Sequence, residues 1–104
     1  MTELWNRFDR MLGFDTETTG IDFARDRIIE IGAVALEGGA EAGGLDLFLR
    51  LPEGRRLDPF IVNLTGITDE RLAAEGVGDD EAARAFTELL EGAERPLVVA
   101  YNAQ

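Results

Sequence analysis

The sequence predicts an α/β domain: three antiparallel strands, then a helix, then a strand parallel to an earlier one. Three observations predict it. Three runs with strand character, Arg10–Glu17, Ile28–Leu36 and Leu45–Leu51, follow one another through short links, and short links join antiparallel neighbours. A stretch with helical periodicity extends from Asp79 or Asp80 to about Leu90. The last run, Leu97–Tyr101, is apolar without alternation. Such a run suits a strand covered on both faces and reached from a helix by a right-handed crossover.

Taken in order, Thr2–Asp9 suits a short helical lead, with Thr2 as cap and Leu4, Trp5 and Phe8 on one side. Arg10–Glu17 is the first strand, and Thr18–Arg27, containing Gly20 and several polar groups, is a turn. Ile28–Leu36 is β-branched and mostly apolar, as a central strand should be. Gly38-Gly39 and Gly43-Gly44 bracket a flexible link before the third strand, Leu45–Leu51. Pro52–Thr68 is irregular, broken by Pro59 and Gly66, with a short helix between Pro59 and Leu64. In the long helix, Ala82, Ala83, Phe86, Leu89 and Leu90 recur at spacings of three and four. Asp80 and Glu81 suit its positive N-terminal end, and Gly92 suits its stop. Pro96 opens the final strand.

A chain of 104 residues, 45% apolar, makes one small domain with a modest core. It has neither cysteine nor histidine. Disulfides and thiolate or imidazole sites are therefore excluded, and any metal must be held by oxygen, which favours magnesium or manganese over zinc. Twenty-one acids against ten bases give a net charge of −11, and all ten bases are arginine. That balance argues against a broad basic footprint for nucleic acid, but leaves room for a groove in which metals neutralise phosphate. There is no run of 18 apolar residues for a membrane span and no basic-then-apolar leader. A cytoplasmic location is the default expectation.

The chemistry concentrates in Phe14-Asp15-Thr16-Glu17-Thr18-Thr19-Gly20. Alternate residues of a strand share a face, so Asp15 and Glu17 stand side by side. Adjacent acids repel unless protons or a cation lie between them, and a divalent metal is the simplest reason for the arrangement. A solvated strand face often carries such a pair for no reason. Here the pair ends an apolar strand and meets a Thr-Thr-Gly turn whose amides and hydroxyls can hold a phosphate or a sugar.

This segment resembles the first motif of the DnaQ-like 3′–5′ exonucleases of the DEDD superfamily, particularly the polymerase III epsilon and PolC type. Arg27–Val34 is similar to the strand that follows in that family, Leu64-Thr65-Gly66-Ile67-Thr68 to its substrate-side loop, and Val99-Ala100-Tyr101-Asn102-Ala103 to the opening of its second motif. In that motif tyrosine stands where histidine is common. The resemblance implies the first half of a ribonuclease H-like fold and hydrolysis of phosphodiesters at nucleic acid 3′ ends by a two-metal mechanism. It implies Asp15 and Glu17 as catalytic metal ligands for two Mg2+ or Mn2+ ions. Thr18, Thr19 and Gly20 would contact the terminal nucleotide largely through backbone amides, Ile67 would pack on its base, and Thr65 would lie near its sugar. The implied partners are a single-stranded 3′ end, of DNA in proofreading or repair, and a polymerase or helicase domain or subunit.

The family carries a further Asp in its second motif, and a base and a last Asp in its third. Residues 1–104 are therefore expected to be the N-terminal part of one exonuclease domain, ending within the second motif and inactive alone. Tyr101 lies in the second motif, so it does not correspond to the base of tyrosine-type members. The alternative reading is a non-catalytic module of the same ancestry that binds a polymerase or helicase; the retained Asp15 and Glu17 count against it. Blander roles also exist: Glu30 could pair with Arg27 or face solvent, Phe14 could be core, Ile67 could only anchor its loop, and the acids of Asp69–Glu94 could be a solvated helix and its flanks.

Overall fold

A computed structural model of the protein describes residues 7–20 and 25–101. The helical lead over Thr2–Asp9 falls largely outside the described residues, as do Asn102 and Ala103 of the last motif. The elements are β1 (Arg10–Thr18), β2 (Ile28–Glu37), β3 (Ala40–Phe48), α1 (Pro59–Thr65), α2 (Asp69–Glu75), α3 (Asp79–Glu88) and β4 (Pro96–Tyr101). The four strands form one sheet in the order β3-β2-β1-β4. β1 pairs antiparallel with β2, and β2 with β3, whereas β4 runs parallel to β1. The expected architecture is therefore present.

The third strand begins earlier than its composition suggests. Gly38 and Gly39 take φ of 59° and 85°, the left-handed backbone that a tight two-residue hairpin requires. The hairpin sends Ala40 straight back along β2, so Gly43 and Gly44 are strand residues opposite Ala35 and Val34 rather than part of a flexible link. A Cβ on Gly44 would lie 2.9 Å from the Ala33 carbonyl oxygen, so a bare backbone suits that close approach. The strand then ends at Phe48, and Leu49 leaves the sheet to form a parallel bridge with Val77.

The segment after β3 is more ordered than its breakers imply. Asp58 caps α1 by accepting from the Phe60 amide, and Gly66, at φ 77°, terminates it. The sequence did not reveal α2, a single short element capped by Thr68 and rich in acids. α3 begins after Gly78 with no side-chain cap, correcting the expectation that Asp79 or Asp80 fills that role. Asp79 instead accepts a 2.8 Å bond from Arg27 Nη2. The helix ends at Glu88, so Leu89 and Leu90 act just past its last turn.

Two apolar clusters hold these pieces on the sheet. Leu12, Ala33 and Ala35 pack with Phe14, Leu45, Phe86, Leu89 and Leu90, joining β1, β2 and β3 to α3. The rings of Phe14 and Phe86 meet edge to face at 5.3 Å. Ile29 at the start of β2 joins Leu57, Ile61, Ile67 and Leu72 beneath α1 and α2. Ala83 is exposed, so only part of the periodic α3 stripe is buried. β4 is the outer strand of the sheet and is less covered than its apolar run suggests, with Val98 45% and Tyr101 63% exposed. Among the described residues no helix is long and apolar enough to cross a membrane.

Candidate active site

The face of the sheet opposite α3 is polar at one end because strand alternation and register bring acids together there. β1 buries Leu12 and packs Phe14 on the helix side, so Met11, Gly13, Asp15 and Glu17 point the other way. Asp15 lies opposite Gly32, which lies opposite Asp46, and Glu17 lies opposite Glu30. Directly paired residues share a face. Asp15, Glu17, Glu30 and Asp46, with Gly32 and Thr16, line a small open cavity of about 140 Å³. Gly32 leaves its floor bare: a Cβ placed there would meet nothing within 4 Å. Asp15 Oδ1 accepts from the Thr16 amide at 2.9 Å, which fixes one of its oxygens.

The electrostatics of this face are read most clearly at Glu30. Partial burial, a hydrogen bond and charge from Asp46, and the charge of Glu17 push its carboxyl up to about 7, with Arg71 acting weakly in the other direction. Crowded negative charge in a half-buried place disfavours another anion. Glu30 therefore faces other acids rather than Arg27, whose guanidinium is turned to Asp79. Sequence reasoning passed over Asp46. Its signal is the alternation of Leu45-Asp46-Leu47, which places the acid on the face away from the core.

Beyond β1 the Thr18–Gly20 turn is knitted to the entry of β2. The Thr19 amide donates to the Arg27 carbonyl at 2.9 Å, and the Arg27 amide donates back to Thr19 Oγ1 at 2.9 Å. Thr19 Oγ1 donates to Asp26 Oδ1 at 2.9 Å, and Thr18 Oγ1 donates to the Gly20 carbonyl at 2.7 Å. A Cβ on Gly20 would lie 2.5 Å from Asp26 Oδ2, so the glycine lets the aspartate close over the turn. Arg55 reaches the same group, with Nη2 3.4 Å from Thr19 Oγ1 and 3.7 Å from Asp26 Oδ1. The amide and hydroxyl of Thr19 are thus engaged within the turn.

The Leu64–Thr68 loop is equally self-contained. Thr65 Oγ1 donates to the Ile61 carbonyl at 2.8 Å and accepts from the Ile67 amide at 3.1 Å. Ile67 is 4% exposed and sits in the apolar cluster with Ile29. Its neighbours Phe60 and Leu64, by contrast, are 67% and 66% exposed. Tyr101 lies opposite Asp15 across the parallel pair and packs its ring over Gly13, where a Cβ would come within 3.2 Å of Cε2. No group of three or more acids is gathered closely enough to cage a metal among the described residues.

Comparison with known proteins decides the family. The RNase_T exonuclease family model matches residues 12–104. The chain belongs to this exonuclease family, as a DnaQ-like domain. It is 38% identical over 90 residues to the PolC-type DNA polymerase III of Staphylococcus aureus and 34% identical over 89 residues to that of Pediococcus pentosaceus. Each match covers 86% of this chain and 6% of the relative. Among solved structures, Escherichia coli exonuclease I in complex with a dT13 oligonucleotide superposes with a TM-score of 0.76 at 22% identity, over 89% of this chain and 20% of that one. Exonuclease I of Methylocaldum szegediense gives 0.75 at 23% identity, over 88% and 20%. At such identities the structural likeness speaks to the fold, which is the ribonuclease H-like fold of these exonucleases. The exonuclease family is hydrolytic, so the chain is a nuclease-family domain.

Proposed function

We propose that the Asp15–Glu17 face is the metal-binding half of a 3′–5′ exonuclease site that acts on single-stranded DNA. The observation that carries this is geometric: two carboxylates share an open strand face beside the bare floor at Gly32. The donor set fits Mg2+ or Mn2+. Such ions accept oxygen donors only, keep several waters, and bind through one or two carboxylates plus substrate phosphate rather than through an all-protein cage. The absence of a three-acid cage among the described residues is compatible with that mode. The raised Glu30 pKa supports it too, because it reports an excess of negative charge at this face.

When bound, the metal pair would supply an activated water and neutralise charge on the scissile phosphate and the leaving oxygen. In this reading Asp15 and Glu17 would hold the ions through their carboxylates. The Thr16 amide keeps the Asp15 carboxylate oriented. Gly32 leaves space above the sheet for the phosphate. The Thr18–Gly20 turn seats the terminal nucleotide, with Asp26 and Arg55 keeping that turn in shape. Thr65 and Ile67 act on the substrate side through the loop they stiffen, the buried Ile67 chiefly as its anchor. DNA is favoured because the polymerase relatives are named for DNA and one structural neighbour holds a dT13 oligonucleotide.

By the family resemblance, further acids and a base complete the site, and a polymerase or helicase accompanies it. Isothermal titration with Mn2+ tests the ligands directly. The full protein is expected to bind Mn2+, and Asp15→Asn to weaken binding by about 10-fold or more, no less than the loss on changing a hydrogen-bond partner of a metal ligand. Unchanged Mn2+ binding in Asp15→Asn would remove Asp15 from the site.

A further inference from the structure

Outside the acidic face, the arginines of this acidic chain are unevenly distributed. Four of the ten, Arg25, Arg27, Arg55 and Arg56, line one open cavity of about 690 Å³ that also reaches Thr19. Two acids, Asp26 and Asp58, share its wall. The cavity thus carries a formal charge of +2 within a chain of −11. Both acids have structural employment: Asp26 accepts from Thr19 Oγ1 and Asp58 accepts from the Phe60 amide. Three of the guanidinium groups, those of Arg27, Arg55 and Arg56, are less committed. Arg56 is exposed and makes no hydrogen bond or ion pair among the described residues. Arg55 touches Asp26 and Thr19 only at 3.7 and 3.4 Å. The Arg27–Asp79 bond is exposed, so a competing anion can exchange with it at little cost.

We propose that this cavity binds the phosphodiester backbone of the single strand whose 3′ end reaches Asp15 and Glu17. The proposal rests on the exonuclease reading of that face and adds a second contact surface to it. Thr19 joins the two places: it lies in the turn that follows Asp15 and Glu17 and also lines the cavity. Guanidinium groups take phosphate oxygens bidentately, and their clustering gives attraction without base preference. An overall charge of −11 repels a polyanion, so a local positive cavity beside the site would supply attraction that the rest of the surface lacks.

The test is fluorescence anisotropy of the full protein with 5′-fluorescein-(dT)12 in EDTA, over a series of KCl concentrations. The variants are Arg25→Ala/Arg56→Ala, which removes the two exposed arginines of the cavity, and Arg84→Ala on the exposed side of α3 as control. The double variant is expected to lose about 10-fold in affinity, and its log–log salt slope to fall by about 1.4, at about 0.7 per lost phosphate contact on a single strand. Arg84→Ala should match the parent in both. Circular dichroism melts of all three proteins keep a folding defect from imitating the result. Equal affinity and slope in parent and double variant overturn the proposal, as does an equal loss in Arg84→Ala. Mn2+ titration of the parent separates this from the reading beneath it. Arginine-dependent strand binding without Mn2+ binding would sink the nuclease face and leave the cavity standing.

Discussion

At the scale of single residues, Glu30 carries the clearest imprint of its surroundings. Its carboxyl is pushed up to about 7 by burial, by Asp46 and by Glu17. The folded state therefore holds a proton that the unfolded chain releases near the ordinary value of 4.5. Stability from this group is fully present below about 4.5 and is lost as pH rises to about 7. Glu30→Gln, which cannot ionise, should flatten that decline and leave the variant more stable than the parent at pH 8 in EDTA. The gain should be about 1 kcal/mol once solvent screening is allowed for. Urea melts at pH 4.5 and pH 8 check this, and an equal pH dependence in the two proteins contradicts it. Asp15 and Glu17 were legible in the sequence because period-2 alternation fixes their shared face. The company of Glu30 and Asp46 was not, since it depends on the register between three strands. The turn chemistry at Thr19 was also hidden, because Asp26 and Arg55 reach it from seven and 36 positions away.

At the scale of elements, the site depends on strands set in register by a hairpin. The Gly38-Gly39 turn starts β3 back along β2, and a register shift between Ala35 and Leu36 then brings Asp46 level with Gly32 and, through it, Asp15. Composition alone suggested a loose link there, because paired glycines at 43 and 44 resemble a flexible tract until the turn before them is fixed. α2 was unreadable for a different reason: a seven-residue helix has too few turns to show a periodic stripe, and it buries a single leucine, Leu72. Gly32 offers a test that separates site from scaffold. Valine suits a β-strand, and a Cβ at Gly32 meets nothing within 4 Å. Gly32→Val should therefore keep the parent melting temperature to within a few degrees, equivalent to about 0.5 kcal/mol. It should cut cleavage by the full protein by about 100-fold, by filling the space where phosphate would lie. Parent-level cleavage in a folded variant would show that this floor is not used.

At the scale of the whole molecule, the order β3-β2-β1-β4 puts the first motif on an inner strand and leaves β4 at the edge. The sequence showed that β4 would be parallel, through the apolar run and the helix before it. The same run suggested cover on both faces, whereas Val98 and Tyr101 are exposed, because an apolar run does not specify which element lies over it. An exposed apolar edge strand is a template for pairing with another chain. Residues 1–104 expressed alone should self-associate, and Val98→Lys should shift them toward monomer in sedimentation velocity. A clean monomer with a cooperative melt in the unmodified chain would contradict this. The core itself is small, and Leu12, fully buried where β1 and β2 meet α3, is its most central side chain on that face. The central claim is that the Asp15–Glu17 face hydrolyses a strand from its 3′ end with divalent metal. Digestion of a 5′-labelled single strand by the full protein in Mg2+ tests it most directly. A ladder shortening from the 3′ end, lost in EDTA and reduced by about 1,000-fold or more in Asp15→Ala, is the expected result. Shortening from the 5′ end, or undiminished cleavage by Asp15→Ala, would contradict it.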